Sequence, residues 1–313
     1  MQQATRVEKR IDAYADRVLA AAPTRGPKAF AINFAVFVLK QAWACVFGAA
    51  LLVVILAARL WYPDDALVAR NDALTIAAIV IQILMLVFRL ESGREVWVIL
   101  LFHLTGTVME LFKTDVGSWA YAAEGVLRIG GVPLFSGFMY AAVGSYLVRV
   151  YRLFELRFTR YPPVWATSIL AALIYLNFFT HHYWWDARWV LTAAVVALWF
   201  PTIMSVRVRA TIRLPILLAF LGVAAFIFAA ENIATWAGAW LYPNQVDGWH
   251  PVSLSKLSSW FLLMIISIVM VTWVYPPQRA ASPQPANTDS TGPQIERPSS
   301  ATNSRSTTRP TGS

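Results

Sequence analysis

Apolar runs of roughly 20 residues recur along the chain and are separated by short polar loops. One helix of about that length crosses a hydrocarbon core of about 30 Å. The pattern therefore predicts an all-α, polytopic membrane helix bundle with about eight transmembrane helices. The predicted spans are 42–62, 73–90, 96–112, 132–151, 163–180, 189–204, 214–232 and 255–275.

The composition favours the same class of protein. Hydrophobic residues make up 58% of the 313 positions and charged residues 14%, with a mean hydropathy of +0.54. A soluble domain carries about 25% charged residues. The single cysteine, Cys45, lies in the first predicted span, which excludes a disulfide framework and a thiolate metal site.

Lysine and arginine are concentrated in alternate connecting segments, around 1–28, 89–94, 149–160 and 207–213. The intervening loops carry acidic residues and few cations. Because cationic loops stay on the cytoplasmic side, both termini are predicted to be cytoplasmic. These topology-setting cations account for the net charge of +9, so membrane lipids rather than nucleic acid are the expected partner.

Two terminal segments differ from the predicted membrane domain, 29–276. Residues 1–28 are basic and place Val7, Ile11, Ala15 and Leu19 at helical spacing, which is typical of an amphipathic helix on a membrane surface or of a short solvated helix. Residues 277–313 are rich in Pro, Ser, Thr and Asn and are predicted to be a disordered cytoplasmic tail.

Two segments, ELFKTDVGSWAY and ENIATWAGAWLY, share distinctive residues at a constant offset of 121 positions. Glu110, Gly117, Trp119 and Tyr121 are matched by Glu231, Gly238, Trp240 and Tyr242. This register predicts a parallel four-plus-four helix repeat, with repeat one at about 42–151 and repeat two at about 163–275. Such repeats are related by an axis along the membrane normal, so a shared site near the outer leaflet is expected.

A carboxylate inside a membrane helix is costly and is a functional candidate by default. Glu110 lies about 14 residues into its span, roughly 20 Å from the cytoplasmic edge, and His103 lies two turns below it on the same face. Glu110, Glu231 and His103 are the candidate catalytic residues. The candidate substrate-binding residues are Trp119, Tyr121, Tyr140, Asn232, Trp240 and Tyr242. The aromatic rings among them are expected to stabilise a cation or to form an interfacial aromatic belt.

A second polar group follows the fifth predicted span. The candidate ligands for a divalent first-row metal are His181, His182 and Asp186, together with His250 in the last outer loop. The spacing matches no established metal motif. Interfacial histidines bonded to loop groups are the alternative interpretation.

Longer stretches resemble a known family. Four features of the chain are similar to the YoaT-like family of bacterial integral membrane proteins. They are the stretches HLTGTVMELFKTDVGSWAY, GVPLFSGFMYAAVGSYLVRVYRLFELRF and AENIATWAGAWLYPNQ, and the histidine pair with Asp186. The resemblance covers about 96–275. It implies a multi-pass protein of the bacterial inner membrane and supplies no chemistry, because the family has no known function. A fainter likeness, in the helix-end Glu and the Gly-Val-Pro, is to membrane carotenoid hydratases and cyclases.

Three classes of function fit these patterns. The first is an enzyme that acts on an isoprenoid or other small hydrophobic lipid through general acid/base chemistry of the paired glutamates. The second is a transporter with a proton- or cation-coupled site at the repeat interface. The third is a non-catalytic membrane protein. The sequence does not indicate an oligomeric state.

Overall fold

A computed structural model describes residues 4–122 and 124–280. The helices are α1 (Arg6–Ala21), α2 (Pro27–Ala44), α3 (Val46–Trp61), α4 (Arg70–Val87), α5 (Gly93–Asp115), α6 (Phe135–Leu153), α7 (Val164–Thr180), α8 (Arg188–Trp199), α9 (Ile216–Trp236) and α10 (Ser255–Val274). The strands are β1 (Arg128–Ile129), β2 (Val132–Pro133), β3 (Arg157–Thr159), β4 (Ile203–Arg207) and β5 (Thr211–Pro215). Nearly all of the predicted tail, from position 281, lies outside the described residues.

The helical class is confirmed, and each of the eight predicted spans overlaps one of the helices α3 to α10. By length and composition, four described helices are able to cross a membrane: α4, α5, α9 and α10. The pair α2 and α3, bent by 70° at a short break, counts as a fifth if it is one span. Helices α7 and α8 are apolar but shorter.

The sixth predicted span, 189–204, extends too far. Helix α8 has 12 residues and ends at Trp199, which gives a length of about 18 Å. The end of that predicted span begins strand β4, which pairs with β3 and β5 in an antiparallel sheet. The β-branched residues between Ile203 and Ile212 favour strands, and the Val208-Arg209-Ala210 turn closes a hairpin that the sequence analysis did not predict.

The basic N-terminal segment forms helix α1, which begins with a capping box between Thr5 and Glu8. Its buried face is formed by Glu8, Ala15 and Leu19. Glu8 accepts hydrogen bonds from Arg152 at the end of α6, with Nη2 to Oε1 at 2.7 Å. Helix α1 therefore docks on the protein through this face.

A buried ionic cluster lies beside the docked α1. Arg152 also pairs with Glu95 at 2.8 Å, and Arg149 lies 3.4 Å from Glu95 and 3.7 Å from Glu91. These side chains are almost completely buried, so each charge depends on its partners to offset the loss of hydration. The cluster joins α1, α5 and α6 at one end of the bundle.

The basic segments all meet at that end. Arg209, in the β4–β5 turn, donates to the carbonyl oxygens of Ala22 and Pro23, and Phe158 in β3 pairs with Arg279. At the opposite end, Asp72 accepts from the backbone N–H groups of Val126 and Leu127. The segments in which lysine and arginine are concentrated therefore lie at one end of the bundle, and the loop anchored by Asp72 lies at the other.

Helices α5 and α6 pack closely because glycines make room for large side chains. A Cβ atom at Gly106 would lie 2.4 Å from the Tyr140 ring. At Gly137 it would meet His103 at 2.5 Å, and at Gly144 it would meet Phe102 at 2.9 Å. These contacts agree with the close approach expected of small residues on one helix face.

Candidate functional site

Glu110, near the end of α5, is buried, with 3% of its surface exposed. Its Oε2 atom accepts hydrogen bonds from Trp119 Nε1 and from the Tyr121 hydroxyl, both at 2.8 Å. Its Oε1 atom accepts from the Tyr140 hydroxyl at 2.7 Å. Three neutral donors therefore hold this carboxylate, and two of them are residues that the repeated segment singled out.

Glu231, near the end of α9, is 4% exposed and is held in a related way. Its Oε1 accepts from the Tyr242 hydroxyl at 2.5 Å and its Oε2 from Trp260 Nε1 at 2.6 Å. Tyr121 and Tyr242 each lie 11 positions after the glutamate that they contact. Burial raises the pKa of both phenols above the ordinary value, so they remain protonated donors.

The backbone after α5 and after α9 follows the same path. Gly117 has a φ of 71° and Gly238 a φ of 69°, a left-handed conformation that suits glycine at a helix C-terminus. Each glycine N–H donates to the carbonyl four positions after the glutamate, that of Thr114 or Thr235. The chain reverses here, which returns the following tyrosine to the carboxylate.

Both carboxylates line a single cavity of about 300 Å³. The other walls are mainly apolar and aromatic, with contributions from α3, α5, α6, α9 and α10. Within the described residues, no lysine, arginine or histidine nitrogen lies within 4.0 Å of either carboxylate. The cavity thus presents two carboxyl groups, held by neutral donors, to an apolar space.

Lys256, in the first turn of α10, connects the two segments electrostatically. Its Nζ atom lies 4.3 Å from the ring centroid of Tyr242 and 5.6 Å from that of Trp119. The rings of Trp119 and Tyr242 are themselves in edge contact, with centroids 6.2 Å apart. Aromatic rings from both repeated segments therefore share one cation beside the cavity.

Three of the predicted site residues have other positions or contacts. Trp240 lines the cavity but donates to neither glutamate. Asn232 bonds to the carbonyl of Phe228 and to the N–H of Val252, so it fixes the loop before α10. His103 packs edge-on against Phe138 and is not among the described residues that line the cavity.

The predicted metal group is distributed over several different contacts. The ring centroids of His181 and His182 are 4.1 Å apart with the planes tilted by 40°, and Lys113 Nζ donates to Nε2 of His182 at 2.7 Å. Asp186 pairs with Arg188, and His250 is exposed. In the part of the chain that the structure describes, no three His, Cys, Asp or Glu side chains are grouped as a metal site requires.

Trp260 is a member of the candidate site that the sequence did not indicate. It lies in α10, 29 positions after Glu231, and occupies the role that Trp119 has at Glu110. The 121-residue register assigns that role to Trp240. The signal that points to Trp260 is Tyr140, which reaches Glu110 from α6, the helix that corresponds to α10 at the same offset.

Comparisons with known proteins cover most of the chain. The profile of the family described as "Protein of unknown function (DUF817)" matches residues 33–268. The uncharacterized protein YoaT of Bacillus subtilis (strain 168) is 44% identical over 233 residues, which is 74% of this chain and 88% of YoaT. No solved structure matches. The matched range includes both glutamates and all of their donors.

Proposed function

The chain belongs to the DUF817 family, in agreement with its resemblance to YoaT-like proteins, and we propose that it is a membrane-embedded enzyme. Its substrate is an isoprenoid or another unsaturated, lipid-like molecule that enters the apolar cavity from the bilayer. Glu110 and Glu231 exchange protons with that substrate as a general acid and a general base.

The observation that carries this proposal is that the two glutamates line the same cavity. Carboxyl groups are expensive to bury, and a helix end is stabilised at lower cost by an apolar or amide side chain. The carboxyl groups are turned inward to a space whose walls are otherwise suited to hydrocarbon. A volume of about 300 Å³ is at the lower end of the range for ligand pockets, about 300–1,000 Å³.

The proposed reaction is a double-bond isomerisation or a cyclisation. One glutamic acid donates its proton to an alkene carbon, which leaves a carbocation, and the second glutamate removes a proton from a neighbouring carbon. The net number of protons on the substrate is unchanged. Rings of Trp119, Tyr121, Tyr140 and Tyr242 surround the carboxylates, and their negative faces stabilise the cationic intermediate.

The architecture proposed for this enzyme is the parallel four-plus-four repeat, with both glutamates on the outer side. An offset of 121 positions carries the C-terminus of α5 onto that of α9 and the C-terminus of α6 onto that of α10, which supports the repeat. The collection of basic segments at the opposite end supports cytoplasmic termini. Reporter fusions in the 89–92 turn and at His181 test this orientation.

Solvent deuterium labelling tests the reaction. Membranes that contain the protein are incubated in D₂O with lipid extracts from a deletion strain, and the lipids are analysed by mass spectrometry. We expect one lipid species to gain deuterium at carbon with the wild-type protein but not with Glu110→Gln. If no lipid gains deuterium beyond the level in membranes without the protein, the enzyme proposal is wrong.

Transport of a cation coupled to the glutamates is the second candidate function. The observation that favours it is that the two carboxylates occupy corresponding places in the two segments, as expected if two halves rock about a central site. A transporter leaves lipid carbon unlabelled and moves protons in proteoliposomes. The same variants, assayed with a pH-sensitive dye inside the vesicles, separate the two functions.

A further inference from the structure

We propose that a basic cluster beside the cavity, formed by Lys113, His181, His182 and Lys256, binds the phosphate or diphosphate headgroup of the substrate. The apolar tail of the same molecule then occupies the cavity. This inference rests on the proposed function and narrows its substrate class to phosphorylated, isoprenoid-like amphiphiles.

Lys113 is the residue that points most directly to an anion. It lies in the last turn of α5 and is 5% exposed. Its Nζ donates to Nε2 of His182 at 2.7 Å and lies 3.5 Å from Nε2 of His181. Among the described residues no carboxylate oxygen forms an ion pair with it within 4.0 Å. A buried ammonium without a carboxylate is costly, and a bound anion offsets that cost.

The histidines act as neutral acceptors in this arrangement. His181 Nδ1 lies 2.8 Å from the carbonyl oxygen of Asn177, so Nδ1 carries the proton and Nε2 is free to accept from Lys113. Burial and the neighbouring charge of Lys113 lower the pKa of His182 below its ordinary value. A bound anion acts in the opposite direction, because a nearby negative charge raises the pKa of an imidazole and favours its protonated, positively charged form.

Further cations lie close to Lys113. Lys256 and Arg188 are near enough for their charges to oppose that of Lys113, although Asp186, which pairs with Arg188, partly compensates them. A phosphate group carries about −1.5 to −2 charges at pH 7 and has three acceptor oxygens. A phosphate ligand therefore accepts hydrogen bonds from several converging donors, which a single carboxylate does less well. The same positive charges repel a metal cation.

The basic cluster and the cavity are adjacent. Lys113 lies three positions after Glu110, one helical turn further along α5. Ser118 Oγ is 3.4 Å from His182 Nε2, and the next residue, Trp119, lines the cavity. Lys256 Nζ lies over the Trp119 ring. A headgroup at Lys113 therefore leaves an attached chain directed past Trp119 to the two glutamates.

Equilibrium binding to the purified protein in nanodiscs tests this site. The probes are farnesyl diphosphate, farnesol and inorganic pyrophosphate, each measured by isothermal titration calorimetry. We expect farnesyl diphosphate to bind at least tenfold more tightly than farnesol, and pyrophosphate to compete weakly with it. The contribution of the headgroup is the ratio of the first two dissociation constants.

The variants are Lys113→Met and His182→Gln, with Arg213→Met as the control. Arg213 is an exposed cation in β5, at the opposite end of the bundle, so its replacement changes the net charge equally. We expect Lys113→Met to weaken the binding of farnesyl diphosphate at least tenfold and to leave the binding of farnesol unchanged. His182 is exposed, so its replacement carries little risk to folding. We expect His182→Gln to lose less affinity for farnesyl diphosphate than Lys113→Met does.

The outcomes separate the two proposals. If farnesol and farnesyl diphosphate bind equally tightly to the wild-type protein, the headgroup site is wrong while the acid–base chemistry stands. If pyrophosphate alone binds, the cluster is a site for a free anion and the amphiphile proposal is overturned. If neither isoprenoid binds, the headgroup proposal is overturned, and the deuterium-labelling experiment decides the proposed function separately.

Discussion

Ala120 and Leu241, which are 121 positions apart, exchange both of their backbone hydrogen bonds, with each N···O distance 2.9 Å. A reciprocal pair of this kind is the geometry that a two-fold axis between the two residues produces. The bridge lies between Trp119 and Tyr121 on one strand and Trp240 and Tyr242 on the other. It therefore joins the loops that carry the donors to both glutamates.

A disulfide tests that bridge. In a Cys45→Ala background, we expect Ala120→Cys with Leu241→Cys to cross-link on mild oxidation, because hydrogen-bonded antiparallel partners have Cα atoms about 5.5 Å apart, within the range of disulfides. Gel mobility after protease cleavage between the two positions detects the link. The control pair is Gly131→Cys with Leu241→Cys. Absence of a link in the first pair, or equal links in both, would contradict the juxtaposition of these loops.

Gly106→Ala tests the packing that positions Tyr140. The added Cβ would lie within 2.8 Å of three atoms of Tyr140, so either the ring or the helix must shift. We expect a loss of about 1–3 kcal/mol in the free energy of unfolding. Gly222→Ala in α9, where a Cβ meets no atom within 4 Å, is the control and should leave the thermal midpoint unchanged or slightly raised. Equal midpoints for the two variants would refute this account of α5–α6 packing.

Trp119→Phe and Trp240→Phe separate a hydrogen-bond donor from a cavity wall. The first change removes the Nε1–H group that donates to Glu110, and a hydrogen bond to a charged group contributes about 1.5–3 kcal/mol. We expect deuterium incorporation to fall roughly 10- to 100-fold. Trp240 lines the same cavity without donating a hydrogen bond to either glutamate, so its variant should retain activity within about threefold. Similar losses of deuterium incorporation in the two variants would show that the hydrogen bond from Trp119 to Glu110 is unimportant.

Glu91→Gln should change how stability depends on pH. Burial and the like charge of Glu95 raise the pKa of Glu91 to about 7, from an ordinary value of 4.5. Between these values only the folded state holds the proton, so this group makes the free energy of unfolding fall as pH rises from about 4.5 to about 7. Glu91→Gln has no carboxyl group to titrate at this position. Relative to the wild type, its free energy of unfolding should therefore rise by up to about 3 kcal/mol between pH 5 and pH 8.

Thermal unfolding in detergent at several pH values measures this difference. The control is Glu155→Gln, which removes a carboxylate from an exposed pair with Arg207 at the same end of the protein. Its stability curve should run parallel to that of the wild type. A parallel curve for Glu91→Gln as well would mean that Glu91 is ionised throughout this pH range in the folded protein.

The sequence predicted those features that depend on local pattern. Apolar runs located helices α3 to α10, although helix α2 corresponds to no predicted span. The spacing of Glu110, Trp119 and Tyr121 identified three members of one hydrogen-bonded group. These features are accessible because a helix and the turn after it depend on neighbouring residues. The charge alternation likewise predicted which loops would gather at the same end.

The features that the sequence did not predict depend on long-range contacts. Strand β3 comes from a separate part of the chain from the β4–β5 hairpin with which it pairs. The first two residues of β4, Ile203 and Met204, were assigned to the sixth span because they are apolar. Glu8 and Arg152 are 144 positions apart, so neither residue indicates the pair by itself. Trp260 reaches Glu231 from a different helix, and the repeat register pointed to Trp240 instead.

The central claim is that Glu110 and Glu231 act as one unit in a shared cavity. The most direct test compares deuterium incorporation into lipid by Glu110→Gln, Glu231→Gln and the double variant, at equal membrane abundance by immunoblot. We predict that each single variant loses at least 100-fold in rate and that the double variant is scarcely worse, because groups that act together are not additive. Wild-type rates in both single variants, or losses that multiply in the double variant, would contradict the claim.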